Sequence, residues 1–374
     1  MEIDMHYYGT YALARAAGIA PRFAEIIATA AQYVDDSTDH DVIEHPAGTR
    51  FELEVTAHHP ANLPANNDQD DQRQVWVPFH FLPGAEGESL VDKLTCRKDS
   101  AVAREMVAHN LSRARAPWGV ELMGITAHVY ADTFAHYGFS GVSSQQNRVD
   151  GDSIAVLGDD LQARELFGAR LSRFFKKYGL QGGLMHDLRA AASATAEVLT
   201  DAEGHGALGH GAVATNPDQP YLKWRYTYEP FGNRSDPVTV TRDNHADFIQ
   251  GAAALHGAFT ELARYRPDVA DAAGGRSFES ITDAVADVLA TVAESPGRTV
   301  AWQKAVESGA ITGRAEPIPV YDEQRWRNEG RELASLARPE HALDRPLYRF
   351  YQAAALHRAY VLRELLPKHG VVII

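Results

Sequence analysis

Residues 124–136 read Gly-Ile-Thr-Ala-His-Val-Tyr-Ala-Asp-Thr-Phe-Ala-His, and the ionisable side chains in this otherwise apolar run, His128, Asp132 and His136, lie four residues apart. On an α-helix each step of four turns the side-chain direction by only about 40°, so two imidazoles and a carboxylate share one narrow face. The intervening Val129, Tyr130, Ala131, Phe134 and Ala135 call for burial of the same helix. A buried polar stripe must be satisfied by something other than water. A divalent cation would do so; a hydrogen-bonded core network, or a His/Asp acid–base pair without metal, is the alternative reading.

The rest of the chain limits what such a site can be made of. A single cysteine, Cys96, excludes an internal disulfide framework and any multi-cysteine zinc site, so a metal centre must be built from His, Asp and Glu. Seventeen histidines are available for it. A formal charge of −14 argues against a general nucleic-acid-binding surface. Apolar runs are short and broken by charge, so no transmembrane segment is expected. The start, Met1-Glu2-Ile3-Asp4-Met5-His6, lacks a basic region followed by an apolar stretch; no secretory signal is read there and the expected location is the cytoplasm.

Periodicity predicts helices over about 6–17, 21–34, 90–114, 118–137, 160–178, 188–199, 243–265, 278–294, 298–308, 320–337 and 346–366. Strand-like alternation is confined to 51–56 and 75–82, the second ending at Pro83-Gly84, and suggests a small hairpin. Residues 35–75 form a long polar excursion, and 141–152 a polar loop. The expected fold is mainly α, a single helical domain over 1–374 with a few short strands and long loops. Its metal-site region covers about 6–220 and a C-terminal helical part about 243–374.

Further ligands must converge on the His128 helix from elsewhere. His6 opens the first helix, Asp35 and Asp36 close the second, and His80 sits among the aromatics of Trp76-Val77-Pro78-Phe79-His80-Phe81. His205 and His210 lie among glycines, with Asp218 eight residues on. Each has a plain structural reading too: an N-terminal cap, solvated turn residues, a tight glycine turn. His245 and His256, with Asp247, are outside candidates. Trp76, Phe79, Tyr130, Phe134, Tyr137, Tyr221 and Trp224 are numerous enough for an aromatic wall, though core packing is the favoured reading; Lys223 and Arg225 could meet a phosphate or face solvent.

His6-Tyr7-Tyr8, residues 31–36, Pro78-Phe79-His80-Phe81 and the His128–His136 motif together resemble an uncharacterised bacterial protein family of unknown function, itself distantly similar to the zinc-dependent phospholipase C and single-strand-nuclease superfamily. The likeness covers roughly residues 6–220. It implies a helical protein with a cluster of zinc ions, and His6, Asp35 or Asp36, His80, His128, Asp132, His136 and His210 as ligands. It also implies that Asp35 or Asp36 is the base for the attacking water. Three features depart from the superfamily. Its secreted members begin with a Trp whose amine and carbonyl bind zinc, where this chain has Met1. The third residue of their central motif comes later than His136 does. Their last His is followed at four residues by an acid, where this chain has Ala214.

The function expected from these residues is metal-dependent hydrolysis, acting on a small-molecule or lipid phosphoester of lipid or nucleotide type through a metal-activated water. Two or three divalent ions would be bound, zinc foremost, with manganese or iron as options. The alternative is a non-catalytic helical protein with a structural or vestigial metal site that binds a partner through its long loops. A metal-dependent amidase or an oxygen-using iron protein is a third reading.

Overall fold

One helix, Gly119–His136, is buried along all of its 18 residues, and the architecture is built around it. Its sequence is apolar on every side apart from the ligand stripe, Glu121 and two threonines, as a central helix requires. It ends where Gly138 takes φ +89°, a conformation that lets the chain reverse. The computed structural model describes residues 1–39, 41–57, 69–177, 208–231 and 236–373, with only the backbone at 69 and over 174–177. Among the described residues no helix is long and apolar enough to cross a membrane.

The central helix packs most extensively on Pro21–Asp36, then on Asn244–Tyr265, Pro346–Tyr360 and Ala101–Ser112. Small residues permit the closest of these approaches. Pro21–Asp36 presents Ala24, Ala28, Ala30 and Ala31 fully buried, and a Cβ placed on Gly124 would lie 2.5 Å from both the Ala30 Cβ and the Ile27 carbonyl oxygen. The C-terminal helices Thr282–Leu289, Ser295–Glu307, Glu323–Glu332 and Pro346–Tyr360 share the main core with the N-terminal ones, through Val285, Trp302, Trp326 and Phe350 among others.

The mainly helical expectation holds, with local corrections. Of residues 75–82, read as a strand, 75–80 lie in a π-helix over Gln72–His80 that is closed by a hydrogen bond from the Phe81 amide to the Trp76 carbonyl, 2.8 Å. The β-formers there are buried against the core as a helix, so tertiary packing overrides local propensity. The small hairpin exists but joins Val42–Glu44 (β1) to Arg50–Glu52 (β2). The helix expected over 90–114 is two, Leu90–Leu94 and Ala101–Ser112, each with a serine N-cap. A three-stranded antiparallel sheet escaped the sequence reading altogether. Val149–Val156 (β3), Lys223–Tyr228 (β4) and Val238–Asp243 (β5) pair in that order, and their inward Val149, Trp224, Tyr226 and Tyr228 form a second core with Trp76, Phe81 and Phe139. The helix expected over 188–199 and part of the polar excursion, 58–68, lie outside the described residues.

Candidate metal centre

Four chain segments bring their polar side chains to the central stripe. A π-helical turn, Asp4–Gly9, carries His6; the last turn of Pro21–Asp36 carries Asp35; the π-helix over 72–80 ends on His80; and the turns over 209–218 carry His210 and Asp218. Wide helical turns recur at functional sites because they re-aim a side chain without breaking the helix. Here two of them aim histidines.

Asp132 is the hub. Its Oδ1 lies 2.7 Å from the Met1 nitrogen and 3.3 Å from His6 Nε2. Its Oδ2 lies 3.3 Å from His128 Nε2, 3.5 Å from His136 Nδ1 and 3.8 Å from His80 Nδ1. Three groups have ligand atoms within 4.8 Å of one another: His6, Asp35 and His128; His80, His128 and Asp132; His136, His210 and Asp218. The Met1 nitrogen links the last group to the first two, standing 3.3 Å from His136 Nε2 and 3.4 Å from Asp218 Oδ1.

The imidazoles are oriented by backbone carbonyls, which can only accept. His128 Nδ1 donates to Ala31 O at 2.8 Å, His136 Nδ1 to His80 O at 2.8 Å, His210 Nδ1 to Ala214 O at 2.6 Å, and His80 Nε2 to Thr56 O at 2.8 Å. With that nitrogen protonated, the other nitrogen of a neutral ring presents a lone pair. His128 Nε2, His136 Nε2, His210 Nε2 and His80 Nδ1 therefore all turn lone pairs inward, the arrangement that ligating histidines adopt. Both ring nitrogens of His6 and Asp132 Oδ2 are buried without a hydrogen bond among the described residues. Nitrogen and carboxylate donors left open in this way suit a divalent cation.

Electrostatics follow from the crowding. Burial alone would raise the Asp132 carboxyl, but the imidazoles of His136, His128 and His6 in their protonated forms, together with the Met1 ammonium, hold it well below its usual range. Burial would likewise lower the Met1 ammonium, and Asp132 and Asp218 hold it up to about 11. Burial, then the neighbouring His128 and the Met1 charge, push His6 well down; burial brings His210 to about 4. Burial pushes the Asp35 carboxyl up to about 7.

The cluster thus gathers His6, Asp35, His80, His128, Asp132, His136, His210 and Asp218. Asp36 is not among them. It turns away to accept hydrogen bonds from Tyr321 Oη and, at 3.4 Å, Gln32 Nε2. Adjacent helix positions diverge by about 100°, so only one of the two aspartates can face the site. His205 lies outside the described residues. Asp218 supplies a carboxylate 3.6 Å from His210 Nε2, and the Ala214 carbonyl orients the ring, so an acid at position 214 is not needed for either task.

The outside candidates are engaged elsewhere. His245 and His256 bond to the Ala286 and Arg276 carbonyls, and Asp247 pairs with Lys98 and Tyr137. Lys223 pairs with Asp243, and Tyr221 and Trp224 are engaged by Arg170 and Asn244. Of the expected aromatic wall, Trp76 and Trp224 lie in the second core and Phe79, Tyr130 and Phe134 in the main one. Phe81 borders the cluster instead, stacked on His136 at 4.7 Å. The Met1 nitrogen was set aside because the residue that bears the corresponding amine in the superfamily is a Trp, although an α-amine is the same group on any side chain.

No curated protein and no solved structure matches the chain. One family model matches residues 1–365, so the C-terminal helices fall within the same family as the donor cluster. The chain belongs to the family of unknown function DUF6765.

Proposed function

We propose that the cluster holds two or three divalent cations, zinc foremost, and that the protein hydrolyses phosphoester bonds of a small molecule or lipid. The observation that carries this reading is the inward convergence of His80 Nδ1, His128 Nε2, His136 Nε2 and His210 Nε2, each with its other ring nitrogen spent on a backbone carbonyl. Such cations supply Lewis acidity to a phosphoryl oxygen and lower the pKa of an attacking water. His6, His80, His128, His136 and His210 would hold them together with Asp35, Asp132 and Asp218. The order of these residues along the chain, and the helical fold, support the likeness to zinc-dependent phospholipases C and single-strand nucleases.

Among the three carboxylates Asp35 is the one that reaches solvent, with 27% of its side chain exposed against 1% for Asp132 and 7% for Asp218. It is therefore the group placed to take a proton from water at the mouth of the cluster. Phe81 stacked on His136, and Trp76 behind it, keep water from the ring's outer face. The test is hydrolysis of bis(4-nitrophenyl) phosphate, a phosphatidylcholine and a dinucleotide by zinc-loaded protein. Chelator-sensitive turnover that is lost in Asp132→Ala is expected. Full metal occupancy without turnover on any of them would leave the structural-site reading.

A further inference from the structure

Arg298, in the first turn of Ser295–Glu307, is buried to 1% exposure and spends its guanidinium on two segments that each carry candidate ligands. Its Nε donates to Asp4 Oδ2 at 2.8 Å and its Nη2 to Asp4 Oδ1 at 2.9 Å, a bidentate pair two residues before His6. The same Nη2 reaches Glu2 Oε2 at 2.5 Å. Its Nη1 donates to Gln219 Oε1 at 3.0 Å, one residue after Asp218, and to the Ala293 carbonyl at 2.8 Å. Gln219 Nε2 closes the circuit on Glu2 Oε1 at 2.8 Å. The circuit stands behind the donor cluster and ties the His6 turn to the Asp218 turn through a planar, rigid fork.

We infer that Arg298 is a positioning residue for the metal centre, holding the His6 and Asp218 segments in register so that both ends of the donor cluster close on the same ions. A buried guanidinium is poorly explained by stability alone, because desolvation offsets much of what the pairing contributes. Of its five acceptor atoms outside its own helix, the four on side chains, belonging to Glu2, Asp4 and Gln219, lie within four residues of a candidate ligand or of the Met1 nitrogen; the fifth is the Ala293 carbonyl. Outer-shell partners of this kind typically change metal affinity by about 10–100-fold. The inference rests on the proposed metal centre.

The test compares the wild type with Arg298→Gln and with Glu2→Ala. The second removes a side chain that is 29% exposed and leaves the Arg298–Asp4 pair in place, so it keeps the test open should the first fail to fold. Zinc affinity is read by competition with a chromophoric chelator, the cobalt(II) spectrum by visible absorption, and the clamp by amide hydrogen exchange in metal-free protein. Both folded variants are expected to bind zinc at least about tenfold more weakly, with an altered cobalt spectrum and faster exchange confined to residues 1–9 and 215–222. Wild-type zinc affinity and cobalt spectrum in both variants would overturn the positioning role alone and leave the metal centre standing. A wild-type chain that takes up neither metal would overturn the metal centre and this role together.

Discussion

His80 Nδ1 and His128 Nε2 face each other across 3.3 Å, while the opposite nitrogen of each ring donates to a backbone carbonyl, Thr56 and Ala31 respectively. Two lone pairs cannot hydrogen-bond to one another, so this approach calls for a cation or a shared proton between the rings. Asp132 Oδ2, 3.3 Å from the same His128 nitrogen, adds a negative charge to the same spot.

Asp35 and Asp36 are adjacent in sequence and opposite in placement, one facing the donor cluster and the other bonded to Tyr321. Asp35→Asn is expected to lower phosphodiester turnover by about 100-fold or more, the usual scale for a lost proton acceptor. Asp36→Asn should leave turnover within a few-fold and cost about 1–2 kcal/mol of stability through the weakened Tyr321 bond. Equal losses of turnover in steady-state assays of the two variants would contradict the assignment.

Gly124 sits one turn before His128, where the central helix meets Pro21–Asp36, and a Cβ there would lie 2.5 Å from the Ile27 carbonyl oxygen. Gly124→Ala must push the helices apart, and with them the Ala31 carbonyl that orients His128. A loss of about 1–3 kcal/mol in urea unfolding is expected from overpacking, together with weaker zinc binding. An unchanged denaturation midpoint would show that the contact is not tight.

Glu121 is buried in the first turn of the central helix, its Oε2 without a hydrogen bond among the described residues, and burial pushes its carboxyl up to about 7 from 4.5. The folded state then keeps a proton that the unfolded chain has released, so stability falls as pH rises between about 4.5 and 7 and stays low above that. Glu121→Gln, which cannot ionise, is expected to match the wild type below pH 4.5 and to exceed it by about 3 kcal/mol above pH 7. Chemical denaturation across that range reads the difference; a gap independent of pH would contradict it.

The ligand stripe was legible because ionisable residues at a period of four in an apolar run must share one buried helix face, and His80 because a histidine among buried aromatics is costly unless bonded. The element that carries His80 was not legible. Val75, Trp76, Val77 and Phe79 read as β-formers, and only the packing around them makes the segment helical. Asp35 could have been separated from Asp36, since Ala24, Ala28, Ala31 and Asp35 continue one buried stripe of the second helix. The β4 strand also left a signal, the period-two run Trp224, Tyr226, Tyr228 alternating with the polar Lys223, Arg225 and Thr227. Arg298, Glu2 and Asp4 left none, because ion pairs that span 294 positions carry no local pattern.

The most direct test is the metal content of protein purified without a His-tag and without added metal, measured by plasma mass spectrometry for the wild type and for His128→Ala with Asp132→Ala. Two or three equivalents of zinc, manganese or iron in the wild type, lost in the double variant, are the expected result. No bound metal, and no uptake when zinc or manganese is then supplied, would contradict the metal centre and leave His128, Asp132 and His136 as a buried polar network.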